Sequence, residues 1–225
     1  MGDHAQATGE YALALGTYSA ASGFASTAVG QNSIASGLYS TALGALATAN
    51  GDYSIAEGRF ATAGGASSIA VGSGAQSASD NGVAIGNGAN VAATGTSGYN
   101  GGYATVATQG IAIGSGASVT GVGGAAVGVN ASASGLYSSA FGGNANASGD
   151  YSTAIGNNAV ASSVSANALG YGAQASGEFS NALGTNSVAS VIVSTALFHQ
   201  ASATVYFSTA VCCFSIAAGY EGTAT

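Results

Sequence analysis

The stretch ASGLYSTALG at residues 35–44 recurs as ASGLYSSAFG at residues 133–142, 98 positions further along the chain. That interval is seven times fourteen, and the related stretches ASGDYSTAIG and ASGEFSNALG begin at Ala147 and Ala175, in the same spacing. Self-similarity at a fixed period is the signature of a repeat architecture. We therefore take fourteen residues as the unit from which this chain is built.

Counting in fourteens gives the whole chain one register. We name each position by its row, the offset within the unit, so that row 0 holds residues 14, 28, 42 and so on. Row 0 is alanine in every unit except at Gly98, and row 2 is glycine in every unit up to Gly184 except at Asn100. No unit gains or loses a residue, which indicates a regular stack of equal coils.

The composition excludes several other architectures. With 38 glycines, no proline and 4% charged residues, the chain lacks an ordinary globular surface, yet 47% apolar residues in a fixed register argue against disorder. Helical repeats need about 33 residues per unit, and a collagen triple helix needs glycine at every third position. A net charge of −7, with Arg59 as the single basic residue, argues against binding to nucleic acid or to an anionic membrane.

Each unit contains two short segments of alternating character separated by Gly, Asn or Asp turn residues, as at residues 40–44 and 47–49. This pattern predicts an all-β fold, a parallel β-roll solenoid with two short strands in each fourteen-residue coil. Each strand would pair with its own copy in the next coil, roughly 4.8 Å away. We expect a single domain over residues 1–225 with about 16 coils, including variant coils at 89–110 and 188–214.

Strand alternation separates small side chains from large ones. Rows 12, 0 and 2 share one face of the first strand and hold Ser, Ala and Gly, and rows 5 and 7 of the second strand hold mostly Ala or Ser. We expect these rows to line a thin interior, which places the Leu, Ile and Val residues of row 1 outside. Alternation alone leaves the opposite assignment open, because buried apolar rows are the ordinary outcome.

A long exposed apolar stripe is typical of an interface. The simplest way to cover it is a small cyclic oligomer with the stripes on its axis. The residues that we expect at this interface are Leu15, Val29, Leu43, Val71, Ile85, Ile113, Val127, Phe141, Ile155, Leu169 and Leu183. Glu57 and Tyr99 interrupt the stripe, and we expect Arg59, two residues from Glu57 on the same strand face, to pair with Glu57.

At three places the sequence resembles a known family. The stretches NGVAIGNGA (81–89), GIAIGSGAS (110–118) and YSTAIGNNA (151–159) are similar to the head repeats of trimeric autotransporter adhesins, the YadA-like proteins of Gram-negative bacteria. The resemblance covers nearly the whole chain. It implies a left-handed parallel β-roll, three chains packed side by side as a homotrimer, and an extracellular position at the bacterial cell surface, anchored at the outer membrane by parts outside this sequence.

The resemblance also implies a function. Heads of this family bind extracellular matrix proteins, host cells, other bacteria or surfaces, which predicts a non-enzymatic adhesin head segment whose lateral face binds a matrix protein or a glycan. Collagen binding in the family is tied to the motif NSVAIG followed by Ser, and the nearest match here has Gly82 at the first Ser and Ala89 near the second. The candidate ligand-binding residues are Asn81, Val83, Ile85, Ile111, Ile113, Thr153 and Ile155.

Two other functions stay open. A structural extracellular filament or a phage tail-fibre shaft could grow by end-to-end stacking of coils, without a dedicated ligand. Ice binding would need a flat outward array of Thr, and row 13 supplies Thr in only part of the units. Discrete trimers would favour the adhesin head, whereas unlimited end-to-end growth would favour the filament.

We expect no catalytic centre, no metal site and no cofactor. The two histidines, His4 and His199, lie nearly the whole chain apart in sequence, and the acids do not cluster. Five acids share row 10, where a solubilising edge is favoured over a ladder of cation sites. These acids are Glu10, Asp52, Asp80, Asp150 and Glu178.

Aromatic residues recur in row 11, at Tyr11, Tyr39, Tyr53, Tyr137, Tyr151, Phe179 and Phe207. Stacking at a turn or a contact between subunits is favoured there over a ligand platform. The stretch 188–214 is uncharged but interrupted by polar residues, which favours a variant coil over a membrane segment. It includes Cys212 and Cys213, for which free thiols or bridges between chains are favoured because adjacent cysteines rarely bridge each other.

Overall fold

The computed structural model describes residues 2–92 and 109–225, and these residues form β-strands and turns without any helix. The contacts divide the chain into two compact units, Met1–Val122 and Gly123–Thr225. Within each unit the strands alternate along the chain between two parallel sheets, the odd-numbered strands in one and the even-numbered strands in the other.

The strands are short and evenly spaced. The first unit contains β1 Gln6–Ala7, β2 Leu13–Leu15, β3 Ala20–Ala21, β4 Thr27–Val29, β5 Ile34–Ala35, β6 Thr41–Leu43, β7 Thr48–Ala49, β8 Ile55–Glu57, β9 Thr62–Ala63, β10 Ile69–Val71, β11 Gln76–Ser77, β12 Val83–Ile85, β13 Asn90–Val91, β14 Ile111–Ile113 and β15 Ser118–Val119. The second unit contains β16 Ala125–Val127, β17 Ser132–Ala133, β18 Ser139–Phe141, β19 Asn146–Ala147, β20 Thr153–Ile155, β21 Val160–Ala161, β22 Asn167–Leu169, β23 Gln174–Ala175, β24 Asn181–Leu183, β25 Val188–Ala189, β26 Thr195–Leu197, β27 Ser202–Ala203, β28 Thr209–Ala210, β29 Ile216–Ala217 and β30 Thr223–Ala224.

Each strand pairs in parallel with its copy in the next coil. In the first unit Gln6 lies opposite Ala20, and in the second unit Ser139 lies opposite Thr153, each a step of fourteen residues. An inner strand therefore donates and accepts backbone hydrogen bonds on both sides, which leaves no place for proline. The predicted parallel solenoid, with two strands in each fourteen-residue coil, is confirmed.

One step in the first unit is twice as long. Strand β12 pairs directly with β14, with Val83 opposite Ile111, and β13 pairs with β15, with Asn90 opposite Ser118, so that both steps span 28 residues. The strand ladder therefore advances by 28 residues at this step instead of fourteen, and the prediction of an uninterrupted register is wrong here. The described residues contain thirty strands, two to a coil, which is fewer than the 16 expected coils require. Most of the variant coil at 89–110, including Tyr99, lies outside the described residues.

The alanine and serine rows face the interior, which settles the question that alternation left open. Ala28 and Ala42 of row 0 are completely buried, as are Ser40 of row 12 and Ala49 of row 7. The side chains of row 1 lie on the other face of the same strands and stay partly or largely exposed. The interior is narrow because only hydroxyl and methyl groups separate the two sheets.

Val91 and Val119 of row 7 are the largest fully buried side chains among the described residues. Row 12 provides the room for them, because the usual serine is replaced by Gly110. A Cβ atom added to Gly110 would lie 2.6 Å from Cγ1 of Val91 and 3.2 Å from Cγ1 of Val119. The interior thus keeps its volume by exchanging a small residue for a larger one across the roll.

The glycines of row 2 lie at a corner of the coil, and the prediction that they line the interior with rows 12 and 0 is wrong. Gly44 has a φ of +134°, and a Cβ atom on it would lie 2.6 Å from the carbonyl oxygen of Gly58 in the next coil. Gly16 and Gly30 are half-buried at equivalent corners. The close neighbour that excludes side chains from this row is therefore backbone of the adjacent coil.

The stretch 188–214 continues the coil pattern through β25 to β28. Its irregularity is local, because Phe198 occupies the glycine row with a φ of 82° and β28 is one residue shorter than the earlier even-numbered strands. Among the described residues, no helix has the length and apolar character needed to cross a membrane.

Candidate interface and ligand site

The outer face of the even-numbered strands carries an apolar stripe along each unit. In each three-residue strand of this set the middle residue, on row 0, points inward, so the residues of rows 13 and 1 on either side of it point outward. In row 1, Leu43 is 43% exposed and Ile155 41% exposed, although both are large and apolar. We call the outward side chains of row 1, together with the apolar residues of row 13, the apolar stripe.

All the row 1 residues expected at an oligomer interface lie on this face. Leu15, Leu43, Ile85, Ile113, Phe141, Ile155 and Leu183 are exposed, and Val29, Val71, Val127 and Leu169 are half-buried. Within each unit the row 1 residues of adjacent strands lie opposite one another, as Leu15 lies opposite Val29. The result in each unit is a hydrophobic ridge, interrupted at Glu57 in the first unit, that no other described residue of that unit covers.

Row 13 widens the stripe, which the sequence analysis did not anticipate because it considered this row only as a threonine array. Leu13, Ile55 and Ile111 are 46%, 40% and 40% exposed. The signal was available, because residues two apart on a strand share a face. In coils where rows 13 and 1 are both apolar, the stripe is two side chains wide.

The odd-numbered strands present a different outer face. Their outward row, row 6, is mixed but largely polar, with Gln76, Asn146 and Gln174 among its members. The two outer faces therefore differ in character, because large apolar side chains are concentrated in row 1 of the even-numbered strands.

The long step in the first unit brings four of the candidate ligand-binding residues together. Val83 and Ile85 of β12 lie directly opposite Ile111 and Ile113 of β14, although 28 residues separate each pair in the chain. The four side chains form a compact apolar patch on the stripe. Asn81 lies at the turn before β12, exposed, with a left-handed φ of 54°.

The remaining two candidate residues lie in the second unit. Thr153 and Ile155 flank the buried Ala154 of β20, with Thr153 half-buried and Ile155 exposed. They occupy rows 13 and 1, the same rows as Val83 and Ile85 in the first unit. They therefore repeat the outward pattern of the first-unit patch with a hydroxyl in one of its positions.

Glu57 is the one charged residue of the described apolar stripe. It is exposed and lies between Leu43 and Val71 in the strand ladder. The predicted ion pair with Arg59 is wrong, because none forms between these two residues in this chain. Arg59 instead lies at the turn, with its guanidinium carbon 4.3 Å from the ring centroid of Phe60.

Three aspartates of row 10 form hydrogen bonds with the backbone of the preceding coil, which the sequence did not predict. Each accepts a hydrogen bond at Oδ1 from the backbone N–H of the row 10 residue one coil earlier. The bonds run from Leu38 to Asp52 (2.9 Å), from Ala66 to Asp80 (2.8 Å) and from Leu136 to Asp150 (2.9 Å). Within residues 2–92 and 109–225, no group of three His, Cys, Asp or Glu side chains is placed to hold a metal ion.

The aromatic residues of row 11 stack along a turn. Tyr39 and Tyr53 lie with ring centroids 5.3 Å apart and planes 8° apart, and Tyr137 and Tyr151 lie 5.7 Å and 19° apart. All four occupy left-handed backbone positions. Each ring of such a pair covers one face of its neighbour, so the stacked pairs help to stabilise the turn.

The histidines and cysteines lie at turns, apart from the apolar stripe. His4 contacts Asp3 at 3.0 Å and stacks on Tyr18, whereas His199 lies against the edge of Phe214. Cys212 and Cys213 are both exposed and do not bridge each other.

Comparison with known proteins agrees with this architecture. The sequence pattern of the YadA head domain repeat matches residues 1–19, 21–47, 35–61, 63–89, 133–159 and 161–187, which together make up more than half of the chain. No curated protein matches the chain significantly. The matched segments follow the coils and include much of the apolar stripe in both units. The chain therefore belongs to the family of YadA head repeats, which form the head regions of trimeric autotransporter adhesins.

Proposed function

We propose that this chain is a non-enzymatic adhesin head segment that works as a homotrimer at the bacterial cell surface. The observation that carries the proposal is the apolar stripe, exposed along one sheet in each unit while the other sheet is largely polar. Burial of apolar surface contributes roughly 25 cal/mol per Å², so covering such a stripe strongly favours association. Three copies around one axis cover all stripes equally.

The macromolecular ligand binds the lateral face of the trimer. Its proposed contacts are Asn81, Val83, Ile85, Ile111, Ile113, Thr153 and Ile155, and its class is an extracellular matrix protein or a glycan. Five of these contacts lie on the apolar stripe and therefore belong to both proposed surfaces: Val83, Ile85, Ile111, Ile113 and Ile155. Asn81, at the turn outside the stripe, is therefore the contact whose substitution best separates ligand binding from assembly.

Sedimentation velocity on the purified chain tests the assembly. We expect a discrete species with three times the mass of the chain. A monomer at micromolar concentration contradicts the trimer. Open-ended growth into fibres contradicts the head segment and favours the structural filament.

Binding of the trimer to immobilised matrix proteins and to a glycan array tests the ligand. We expect retention on at least one of these surfaces, and the variant Asn81→Gly should weaken it while remaining trimeric, because glycine tolerates the left-handed backbone of this turn. Gln76→Ala, on the polar sheet, is the matched control and should bind like the unaltered chain. Trimers that bind neither class of molecule contradict the adhesin proposal.

A further inference from the structure

The charged residue of the described stripe occupies a place that association would bury. Glu57 lies in row 1 of β8, with Leu43 and Val71 on the neighbouring strands and Ile55 beside it on the same face. Ile55 is 40% exposed and Leu43 43% exposed, so both belong to the surface that a partner would cover. A carboxylate moved into such an apolar contact needs a compensating charge, because removing one partner of a buried ion pair is strongly destabilising.

Only one side chain of the sequence offers lasting positive charge. Arg59 is the single Lys or Arg residue among 225. It lies two residues after Glu57, in the turn that follows β8. Within the described residues it makes no ion pair, and its guanidinium instead rests on the face of Phe60. Phe60 holds the group at the surface by a cation–π contact while the edge of the guanidinium, with its N–H donors, stays available.

We infer that Arg59 of one subunit pairs with Glu57 of the next subunit, an inference that rests on the proposed trimer. In a ring of three identical chains, every subunit would donate one guanidinium and accept one at its carboxylate. The three pairs form at one level of the stack and balance their charges there. This arrangement gives Glu57 and Arg59 the ion pair that neither makes among the described residues of its own chain.

The pairs would also fix the axial register of the trimer. A stripe of Leu, Ile and Val repeats every coil, so one subunit could slide against another by a coil height, roughly 4.8 Å, and still cover apolar surface. Such a slide would leave three Glu57 carboxylates against hydrophobic side chains. Charge pairs at a single level thus exclude the shifted arrangements, as polar groups do in coiled coils.

A double-mutant cycle tests the pair through trimer dissociation, followed by native mass spectrometry on serial dilution. Arg59→Gln should raise the concentration at which half of the chains are trimeric by at least tenfold, because it leaves Glu57 uncompensated. Glu57→Leu with Arg59→Gln should restore or exceed the original stability, because it completes the apolar stripe. Equal dissociation of the unaltered chain and Arg59→Gln overturns the inference.

Cross-linking shows whether the pair joins two chains. In an Arg59→Lys chain, a carbodiimide can couple the new amine to a carboxylate in contact with it. We expect covalent dimers and trimers on a denaturing gel, and their loss when Glu57→Gln is added. Products confined to single chains overturn the inference while leaving the trimer intact, whereas a monomeric unaltered chain rejects the proposed function itself.

Discussion

A single carbonyl oxygen explains why one row of the repeat is glycine. At each row 2 corner the backbone of one coil lies so close to the next that the carbonyl takes the place of a Cβ atom, as Gly58 does above Gly44. Gly44 also has a φ of +134°, which residues with an L side chain rarely adopt. Sterics and backbone conformation therefore select glycine independently at this corner.

Gly44→Ala should lower the free energy of unfolding by about 2–4 kcal/mol, because it adds a strained backbone conformation and a clash with the neighbouring coil. Urea unfolding followed by circular dichroism measures the loss. The matched control is Gly88→Asn, since Gly88 has a φ of +63° and open space around its Cβ position, and row 4 already holds asparagines. A similar loss in both variants would show that the corner is not sterically special.

The buried serines of row 12 differ in their hydrogen bonds. Ser40 donates its hydroxyl to the carbonyl of Gly37 at 2.8 Å, whereas the hydroxyl of Ser68, also completely buried, has no protein partner among the described residues. A buried hydroxyl without a partner is costly, and one with a partner contributes about 0.5–1.5 kcal/mol. The two positions are otherwise equivalent, so a comparison of Ser40 with Ser68 isolates the contribution of this hydrogen bond to the free energy of unfolding.

Ser68→Ala should leave the free energy of unfolding unchanged or raise it, and Ser40→Ala should lower it by about 0.5–1.5 kcal/mol. Thermal and urea unfolding of the two variants side by side measure the difference. Equal losses would indicate that Ser68 is satisfied by water or by a rotated hydroxyl.

At the scale of the strand, volume is conserved across the roll between rows 7 and 12. Val91 and Val119 fill the interior where Gly110 leaves it open. Gly82 shows the same exchange in polar form, since a Cβ atom there would lie 2.6 Å from the hydroxyl oxygens of Ser77 and Ser79. The replacement of the motif's serine by Gly82 therefore has a packing explanation.

Gly110→Ser should lower the free energy of unfolding by about 1–3 kcal/mol, because the new side chain meets Val91. Val91→Ala alone should cost about 1.5 kcal/mol for the two lost methyl groups. The two changes together restore the common pairing of rows 7 and 12, so their combined cost should be well below the sum. A double-mutant cycle in urea measures this coupling, and strict additivity would contradict it.

The sequence predicted the coil well because only small residues occupy the rows that face inward. Methyl-sized residues in rows 0, 5, 7 and 12 favour an interior too thin for Leu or Ile, and Ala28 and Ser40 are indeed buried. The long step after β12 was missed because the count of fourteen is kept across it. The available signal was Tyr103, which falls on row 5, where every other unit has Ala or Ser.

The candidate site was less predictable for a related reason. Alternation identifies which residues face outward, and the stripe of row 1 followed from it directly. Alternation does not predict where side chains point in the turns between strands. The position of Arg59 over the ring of Phe60 could therefore not be predicted from the repeat. Likewise, the contact between Val83 and Ile111 depends on a step of the stack that the period hides.

At the scale of the whole molecule, the exposed apolar stripe determines whether a single chain is stable in water by itself or associates with other copies. Ile113 is 38% exposed on the stripe, and Ser118 lies half-buried on the outward row of the polar sheet in the following strand. Both side chains point away from the interior of the roll. A charge at either position should therefore change the stability of the single chain by only about 0.5 kcal/mol, while the effect on association should differ sharply.

Ile113→Lys should dissociate the trimer at concentrations where the unaltered chain is fully assembled, because three ammonium groups would be brought together and stripped of water. Ser118→Lys adds the same charge to the same coil on the polar sheet and should remain trimeric. Sedimentation velocity at matched concentrations measures both, and circular dichroism checks that the β-sheet content is unchanged. Dissociation of both variants would point to net charge as the cause, and assembly of both would place the trimer contact on another surface of the roll.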